Sequence, residues 1–190
     1  TLVFNDPIQK NAGLDIYEAP RKNHNYLITV DVARGLGNDY SAFLVFDITE
    51  FPYKVVGKYR NNEIKPMLFP NVIHDIAMAY NKAFLLVEVN DIGDQVASIL
   101  NYDLEYENLL MCSQRGRNGQ VVGAGFSGKR SQLGVRTTAA VKKLGCSNLK
   151  TLLEDDKIIL CDYDIISELT TFAQKHNSFE AEDGCNDDLA

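Results

Sequence analysis

Three apolar segments rich in Val, Ile, Phe and Tyr follow one another closely near the start of the chain. They cover residues 26–33, 41–48 and 53–59, and only short turns separate them. Strands joined by connections this short pair antiparallel with their neighbours. The pattern therefore predicts an antiparallel meander. Residues 1–25 before it are polar and irregular, and they predict a linker or an arm packed on the domain.

The rest of the chain alternates helical and strand-like patterns. Residues 67–81 carry apolar side chains at helical spacing, and a compact apolar strand at 84–89 follows. A meander joined to such alternating units predicts an α/β fold, a mixed β-sheet with antiparallel and parallel strands and helices on both faces. The other predicted helices cover residues 91–100, 138–153 (one helix, or a pair divided around Gly145) and 165–174, and the other strands cover 108–112, 157–161 and 178–181.

Composition fits one domain over residues 1–190, because 190 residues with 45% hydrophobic side chains are enough for a single core. The chain begins with Thr1 rather than Met, so we expect it to be part of a longer protein. No segment has transmembrane length, and no membrane association is predicted. The four cysteines and three histidines lack zinc-type spacing, so no chemistry is assigned to them.

The net charge of −7 is unevenly distributed. Residues 113–153 contain no Asp or Glu but eight of the 19 Lys and Arg residues. A basic block can simply be a solvated face, but an asymmetry this sharp favours a binding surface for a polyanion. The eight are Arg115, Arg117, Lys129, Arg130, Arg136, Lys142, Lys143 and Lys150.

A basic, glycine-rich insertion at residues 113–134 partly matches a phosphate-binding loop. Gly123, Gly128 and Lys129 fit the pattern GxxxxGK, but Arg130 stands where Ser or Thr should bind Mg²⁺. A buried strand before the loop and a helix directly after it are also missing from the pattern. We therefore predict no ATP site here, and a basic hairpin that contacts phosphates is the simpler interpretation.

Two carboxylates lie near the carboxyl ends of apolar strands, Asp31 in the first strand and Glu88 in the strand at 84–89. If these strands are parallel neighbours, both side chains emerge at one edge of the sheet, where open α/β folds bind their ligands. Asp187 and Asp188, in the predicted first turn of a terminal helix, are a third acidic source.

Each of these acids has a structural alternative, because a lone strand-end aspartate is often a cap or an ion-pair partner. As a set they would repel one another, since two charges about 4 Å apart cost roughly 4 kcal/mol at an effective dielectric of 20. A divalent cation reverses the sign of that energy. Oxygen ligands without Cys or His predict a hard ion, Mg²⁺ or Mn²⁺.

Four segments, in this order along the chain, carry a family resemblance. They are residues 26–46 with Asp31 and Asp39, LLVEVNDIGDQVA with Glu88, GVRTTAAVKKLGCSNLKTLLEDDKI, and the terminal GCNDDLA. Together they resemble the nuclease domain of the large terminase subunit of tailed bacteriophages, a ribonuclease H-like domain. The resemblance implies that Asp31, Glu88 and Asp188 form the catalytic acidic triad, with Asp187 and Asp39 as accessory metal ligands.

The resemblance also implies an activity, a metal-dependent endonuclease that cuts double-stranded DNA during phage genome packaging. Two Mg²⁺ ions are expected, with Mn²⁺ as a substitute. Expected partners are an N-terminal packaging ATPase domain of the full-length chain, joined through residues 1–25, the portal and the small terminase subunit, all in the cytoplasm of the infected bacterium. Phosphate contacts are expected from Arg115, Arg117, Lys129, Arg130, Arg136, Thr137, Lys142 and Lys143.

Other functions remain open on the sequence alone. Sugar kinases and actin-like ATPases also carry an Asp on the first strand, but they need a glycine turn directly after it, and here Val32 and Ala33 follow. A non-catalytic DNA-gripping module would explain the basic residues but not the acids. Another ribonuclease H-like nuclease, such as a junction resolvase, would explain both.

Overall fold

A computed structural model describes residues 1–37, 39–114, 120–123, 131–175, 178–182 and 189. The helices are α1 (Phe69–Ala79), α2 (Gly93–Ser98), which continues into a π-helical turn at Ile99–Asp103, α3 (Ala139–Glu154) and α4 (Tyr163–Thr171). The strands are β1 (Gln9–Asn11), β2 (Leu14–Ile16), β3 (Tyr26–Asp31), β4 (Ser41–Asp47), β5 (Tyr53–Asn61), β6 (Phe84–Val87), β7 (Met111–Gln114), β8 (Gln120–Gly123), β9 (Ser131–Leu133), β10 (Ile158–Ile159), β11 (Phe172–Lys175) and β12 (Ser178–Ala181).

A mixed sheet forms the centre of the molecule, with strand order β1-β2-β5-β4-β3-β6. Strands β3, β4 and β5 pair antiparallel in sequence order, as their short connections predict. Strand β6 pairs parallel with β3, and β10 pairs parallel with β5. The predicted α/β mixed sheet is therefore confirmed.

Alternating side chains on β3 and β4 build two cores, one on each face of the sheet. Ile28 and Phe43 point into the larger core, which α1 and α2 cover. Ala42 and Leu44, which flank Phe43 on β4, point into a second core that includes Ile165 of α4 and partly buried leucines of α3. Helices thus cover both faces of the sheet.

The first 25 residues are more ordered than their polar sequence predicts. Strands β1 and β2 form a hairpin, and β2 continues the main sheet by pairing antiparallel with β5. The sheet edge supplies hydrogen-bond partners that a local sequence pattern does not show. The expectation of an irregular segment was therefore wrong for residues 9–16.

Two other segments differ markedly from their predictions. Helix α4 ends at Thr171 instead of 174, because the chain turns into β11 and pairs with β12. The strand expected at 108–112 begins at Met111 and belongs to a separate small sheet of order β8-β7-β9 within the glycine-rich insertion. Helix α3 continues through Gly145 without a break, as the single-helix alternative predicts. No helix in the described ranges is long and apolar enough to span a bilayer.

Candidate active site

The parallel pairing of β3 with β6 sets two carboxylates side by side. The last paired residues are Val30 and Val87, and the backbone N–H of Glu88 donates a 2.9 Å hydrogen bond to the carbonyl oxygen of Val30. Glu88 therefore adjoins Asp31 at the carboxyl ends of neighbouring strands. This confirms that the two strands are parallel neighbours and that their acidic residues emerge at one edge.

Both side chains enter one cleft, on the face of the sheet that α3 and α4 cover. The cleft has a volume of about 190 Å³ and is lined by Asp31, Glu88, Thr29, Val135, Thr137 and Leu189, among others. Asp31 and Glu88 are half-buried. Two partly desolvated carboxylates in one cleft repel each other, so a bound cation would stabilise the arrangement.

Asn90 holds the Glu88 carboxylate in place. Its side-chain amide donates a 2.7 Å hydrogen bond to Oε1 of Glu88 and a 3.1 Å hydrogen bond to the carbonyl oxygen of Thr137. The next residue, Thr138, caps α3, because its hydroxyl accepts a hydrogen bond from the backbone N–H of Val141 at 3.3 Å. The Asn90 amide thus links Glu88, just after β6, to the segment that leads into α3.

Two glycines allow the backbone to approach β6 closely. A Cβ at Gly93 would overlap the carbonyl oxygen of Glu88, and a Cβ at Gly134 would overlap that of Val87. Gly134 also has a φ of +74°, a conformation that other residues rarely adopt. Val135 can then exchange backbone hydrogen bonds of 2.8 Å with Val87 and Val89, which closes one side of the cleft.

The donor set fits a hard divalent cation. Asp31 and Glu88 supply carboxylate oxygens, and no Cys or His is among the described residues that line the cleft. A carboxylate has about four acceptor sites, so Glu88 can accept the hydrogen bond from Asn90 and still bind a metal. Oxygen ligands of this kind suit Mg²⁺ or Mn²⁺.

A comparison with protein families matches residues 28–190 to the terminase RNaseH-like domain. The chain belongs to this family. Among solved structures, the terminase domain is similar to the large terminase nuclease of thermophilic phage G20c with bound magnesium, at 20% identity and a TM-score of 0.72, covering 98% of this chain and 87% of that one. It is also similar to the large terminase nuclease domain of Thermus phage P74-26, at 20% identity and a TM-score of 0.70, covering 98% and 85%.

Of the other predicted metal ligands of the terminase domain, one does not line the cleft and two lie outside the described residues. Asp39 is exposed in the turn between β3 and β4 and does not line the cleft. Asp187 and Asp188 lie outside the described residues, although Leu189, directly after them, lines the cleft. Within the described ranges, no group of three or more His, Cys, Asp or Glu residues is placed to hold a metal ion.

The predicted DNA-binding residues of the terminase domain also divide into two groups. Arg136 and Lys143 are exposed, Thr137 lines the cleft, and the ammonium of Lys142 lies 5.2 Å from the ring centre of Phe172. These four adjoin the cleft or the first turns of α3. Outside the described residues lie Arg115, Arg117, Lys129 and Arg130.

Two residues beside the cleft carry no role in the sequence-based predictions. Asn90 could have been found from its position two residues after Glu88, at the end of a strand. Glu168 of α4 could not, because only the fold brings its Oε2 within 2.7 Å of the backbone nitrogen of Leu189.

Proposed function

We propose that this terminase domain is a divalent-metal-dependent endonuclease that cuts double-stranded DNA during phage genome packaging. The observation that carries the proposal is the placement of Asp31 and Glu88 in one cleft, at adjoining positions of parallel strands. Family membership supports it, because the solved structures that the chain resembles are terminase nucleases.

In this proposal Asp31, Glu88 and Asp188 bind two Mg²⁺ ions, with Mn²⁺ able to replace them and with Asp187 and Asp39 as accessory ligands. Bound ions would supply a water of lowered pKa and offset charge on the phosphate. Asn90 keeps the Glu88 carboxylate oriented, as its 2.7 Å hydrogen bond indicates. The G20c nuclease has been solved with magnesium, cobalt and zinc, which supports a divalent metal site without choosing the ion.

The basic residues near α3 hold the DNA backbone in this proposal. Arg136, Lys142 and Lys143 provide positive charge beside the cleft, and Thr137 offers a hydroxyl within it. Arg115, Arg117, Lys129 and Arg130 of the insertion at 113–134 extend the positive charge in sequence. Phosphate contacts fix position without reading bases, so cleavage should depend on salt more than on sequence.

The partners follow from the family and not from contacts in this structure. We propose that residues 1–190 act as one nuclease domain beside an N-terminal packaging ATPase domain of the full-length chain, with residues 1–25 leading from that domain. The portal and the small terminase subunit would be further partners, in the cytoplasm of the infected bacterium. Crosslinking of the full-length chain to purified portal would test this arrangement.

The test of the activity is incubation of the domain with supercoiled plasmid and Mg²⁺ or Mn²⁺, with EDTA as a control. We expect nicking and linearisation that EDTA abolishes. Asp31→Asn should lower the rate by more than about a hundredfold, because even the outer partners of metal ligands contribute 10–100-fold. The control is Asp103→Asn. Asp103 is exposed and does not line the cleft, so this variant should cut like the wild type.

The same experiment separates the alternatives. A domain that binds DNA but leaves the plasmid intact in Mn²⁺ at low salt would be a DNA-gripping module, and the proposal would be wrong. A strong preference for four-way junctions over plasmid would indicate a junction resolvase.

A further inference from the structure

The backbone of Leu189, directly after the acidic residues Asp187 and Asp188, is held by a side chain of α4. The N–H of Leu189 donates a 2.7 Å hydrogen bond to Oε2 of Glu168, which lies in α4. That N–H belongs to the peptide unit that joins Leu189 to Asp188. Because a peptide unit is planar, an acceptor fixed on this N–H limits the orientation of the peptide plane.

Glu168 is itself fixed. It is 6% exposed, and its Oε1 lies 3.1 Å from Nη2 of Arg60 on β5. The guanidinium of Arg60 lies over the ring of Tyr40, 4.0 Å from its centre. An ion pair and a cation–π contact therefore orient the carboxylate that accepts the hydrogen bond from Leu189.

The side chain of Leu189 gives a second anchor. It is 6% exposed and packs in the second core with Ala42 of β4 and Ile165 of α4. Leu189 also lines the cleft that holds Asp31 and Glu88. The backbone of Leu189 is thus hydrogen-bonded to α4 and its side chain packs in the second core, at the wall of the candidate active site.

We infer that Glu168 is a positioning residue: it fixes the backbone N–H of Leu189 at the wall of the cleft and so supports metal binding by the acidic residues of the proposed site. This inference rests on the proposed function. Arg60 supports it by fixing the Glu168 carboxylate. Glu168 acts through the backbone of Leu189 and not as a metal ligand.

The test compares Mn²⁺ binding, by titration calorimetry, with the Mn²⁺ dependence of plasmid cleavage. Glu168→Ala should raise the Mn²⁺ concentration for half-maximal cleavage by at least about tenfold, the lower limit seen when an outer partner of a metal ligand is lost. DNA affinity should not change. Glu168→Gln keeps an acceptor for the Leu189 N–H, and it should recover Mn²⁺ binding to within about threefold of wild type.

Two controls separate positioning from general stability. Asp162→Asn removes the charge of another buried carboxylate of the same region, which lies 2.7 Å from Lys58 and makes no bond to Leu189. It should lower the melting temperature without changing the Mn²⁺ dependence. If Glu168→Ala does not fold, the double variant Arg60→Met/Glu168→Leu removes both charges of this ion pair together and should show the same weakened Mn²⁺ binding.

The outcomes distinguish this inference from the function on which it rests. A wild-type domain that neither binds Mn²⁺ nor cuts DNA overturns the proposed function. A wild-type domain that cuts, with folded Glu168 variants of unchanged Mn²⁺ dependence, overturns the positioning role alone. Weakened Mn²⁺ binding in the Ala variant with recovery in the Gln variant supports it.

Discussion

Asn90 donates a 2.7 Å hydrogen bond from its side-chain amide to Oε1 of Glu88. The same nitrogen donates to the carbonyl oxygen of Thr137, 3.1 Å away. The orientation of a carboxylate in the cleft is therefore linked to the segment that leads into α3. We therefore expect the Asn90 side chain to affect both metal-dependent cleavage at the cleft and DNA contacts at α3.

Replacing this amide tests that link. Asn90→Ala should lower the rate of Mg²⁺-dependent cleavage about 10–100-fold, the usual effect of losing the partner that orients a metal ligand. Plasmid nicking at several Mg²⁺ concentrations provides the measurement. Asn108→Ala is the matched control, because its amide also bonds a backbone carbonyl, that of Lys82 at 2.7 Å, and it does not line the cleft. Equal activities of the two variants would contradict the prediction.

Two glycines should respond in opposite directions to the same substitution. Gly93→Ala places a methyl group against the carbonyl oxygen of Glu88, and overpacking of this kind destabilises by about 1–3 kcal/mol. Gly145→Ala meets nothing within 4 Å in the middle of α3 and should stabilise by about 0.5–1 kcal/mol. Urea unfolding gives both values. A neutral effect at Gly93 would show that the backbone after Glu88 can move without cost.

The buried ion pairs of Lys58 predict a pH dependence of stability. Burial acts to raise the pKa of Asp162, but hydrogen bonds from Lys58 and Tyr17 outweigh it and hold that pKa below its ordinary value. A lowered pKa stabilises the folded state above the unfolded pKa of about 4, and this stabilisation is lost as the pH falls through the folded value. Stability should therefore decrease below about pH 4.

Asp162→Asn isolates this contribution. It should reduce the free energy of unfolding by about 3 kcal/mol at pH 7, because it leaves Lys58 with fewer partners in a buried site. The difference from wild type should shrink as the pH falls below about 4. Asp164→Asn changes the other close partner of Lys58, which is 47% exposed, and should cost less than about 1 kcal/mol. A constant Asp162→Asn difference between pH 7 and pH 3 would rule out this origin.

Arg136 should contribute to DNA affinity through phosphate charge alone. Arg136→Ala is expected to weaken binding to all DNA sequences alike and to reduce the slope of log affinity against log salt by about 0.9. Fluorescence anisotropy at several salt concentrations measures this slope. Lys22→Ala, at an exposed lysine outside the basic segment, should leave the slope unchanged. A loss of affinity for only some sequences would indicate base contacts instead.

The sequence was most informative where local pattern and fold agree. Short connections predict the β3–β4–β5 meander, and the shared position of Asp31 and Glu88 near strand ends predicts the edge at which they meet. The second prediction depends on the period-2 alternation of strands, which burial of one face enforces. The family resemblance is confirmed by the match over residues 28–190.

Features that depend on contacts between residues far apart in sequence could not be predicted from local patterns. The hairpin at residues 9–16 is polar, and it forms strands because β5 offers an edge far away in sequence. Glu168 is indistinguishable in the sequence from a solvated helical glutamate, and its contacts with Arg60 and Leu189 depend on the assembled sheet. Secondary-structure propensity reflects neighbours along the chain, whereas these residues form contacts with segments far away in sequence.

The register between β3 and β6 decides whether Asp31 and Glu88 meet at one edge of the sheet. A shift of β6 by a single residue would turn Glu88 to the opposite face, against α1 and α2, and would bring an apolar valine beside Asp31. A chain misfolded in this manner would keep its strands and helices but would lack a paired anionic edge. Spectroscopic recovery of secondary structure after refolding would therefore overestimate the fraction of competent molecules.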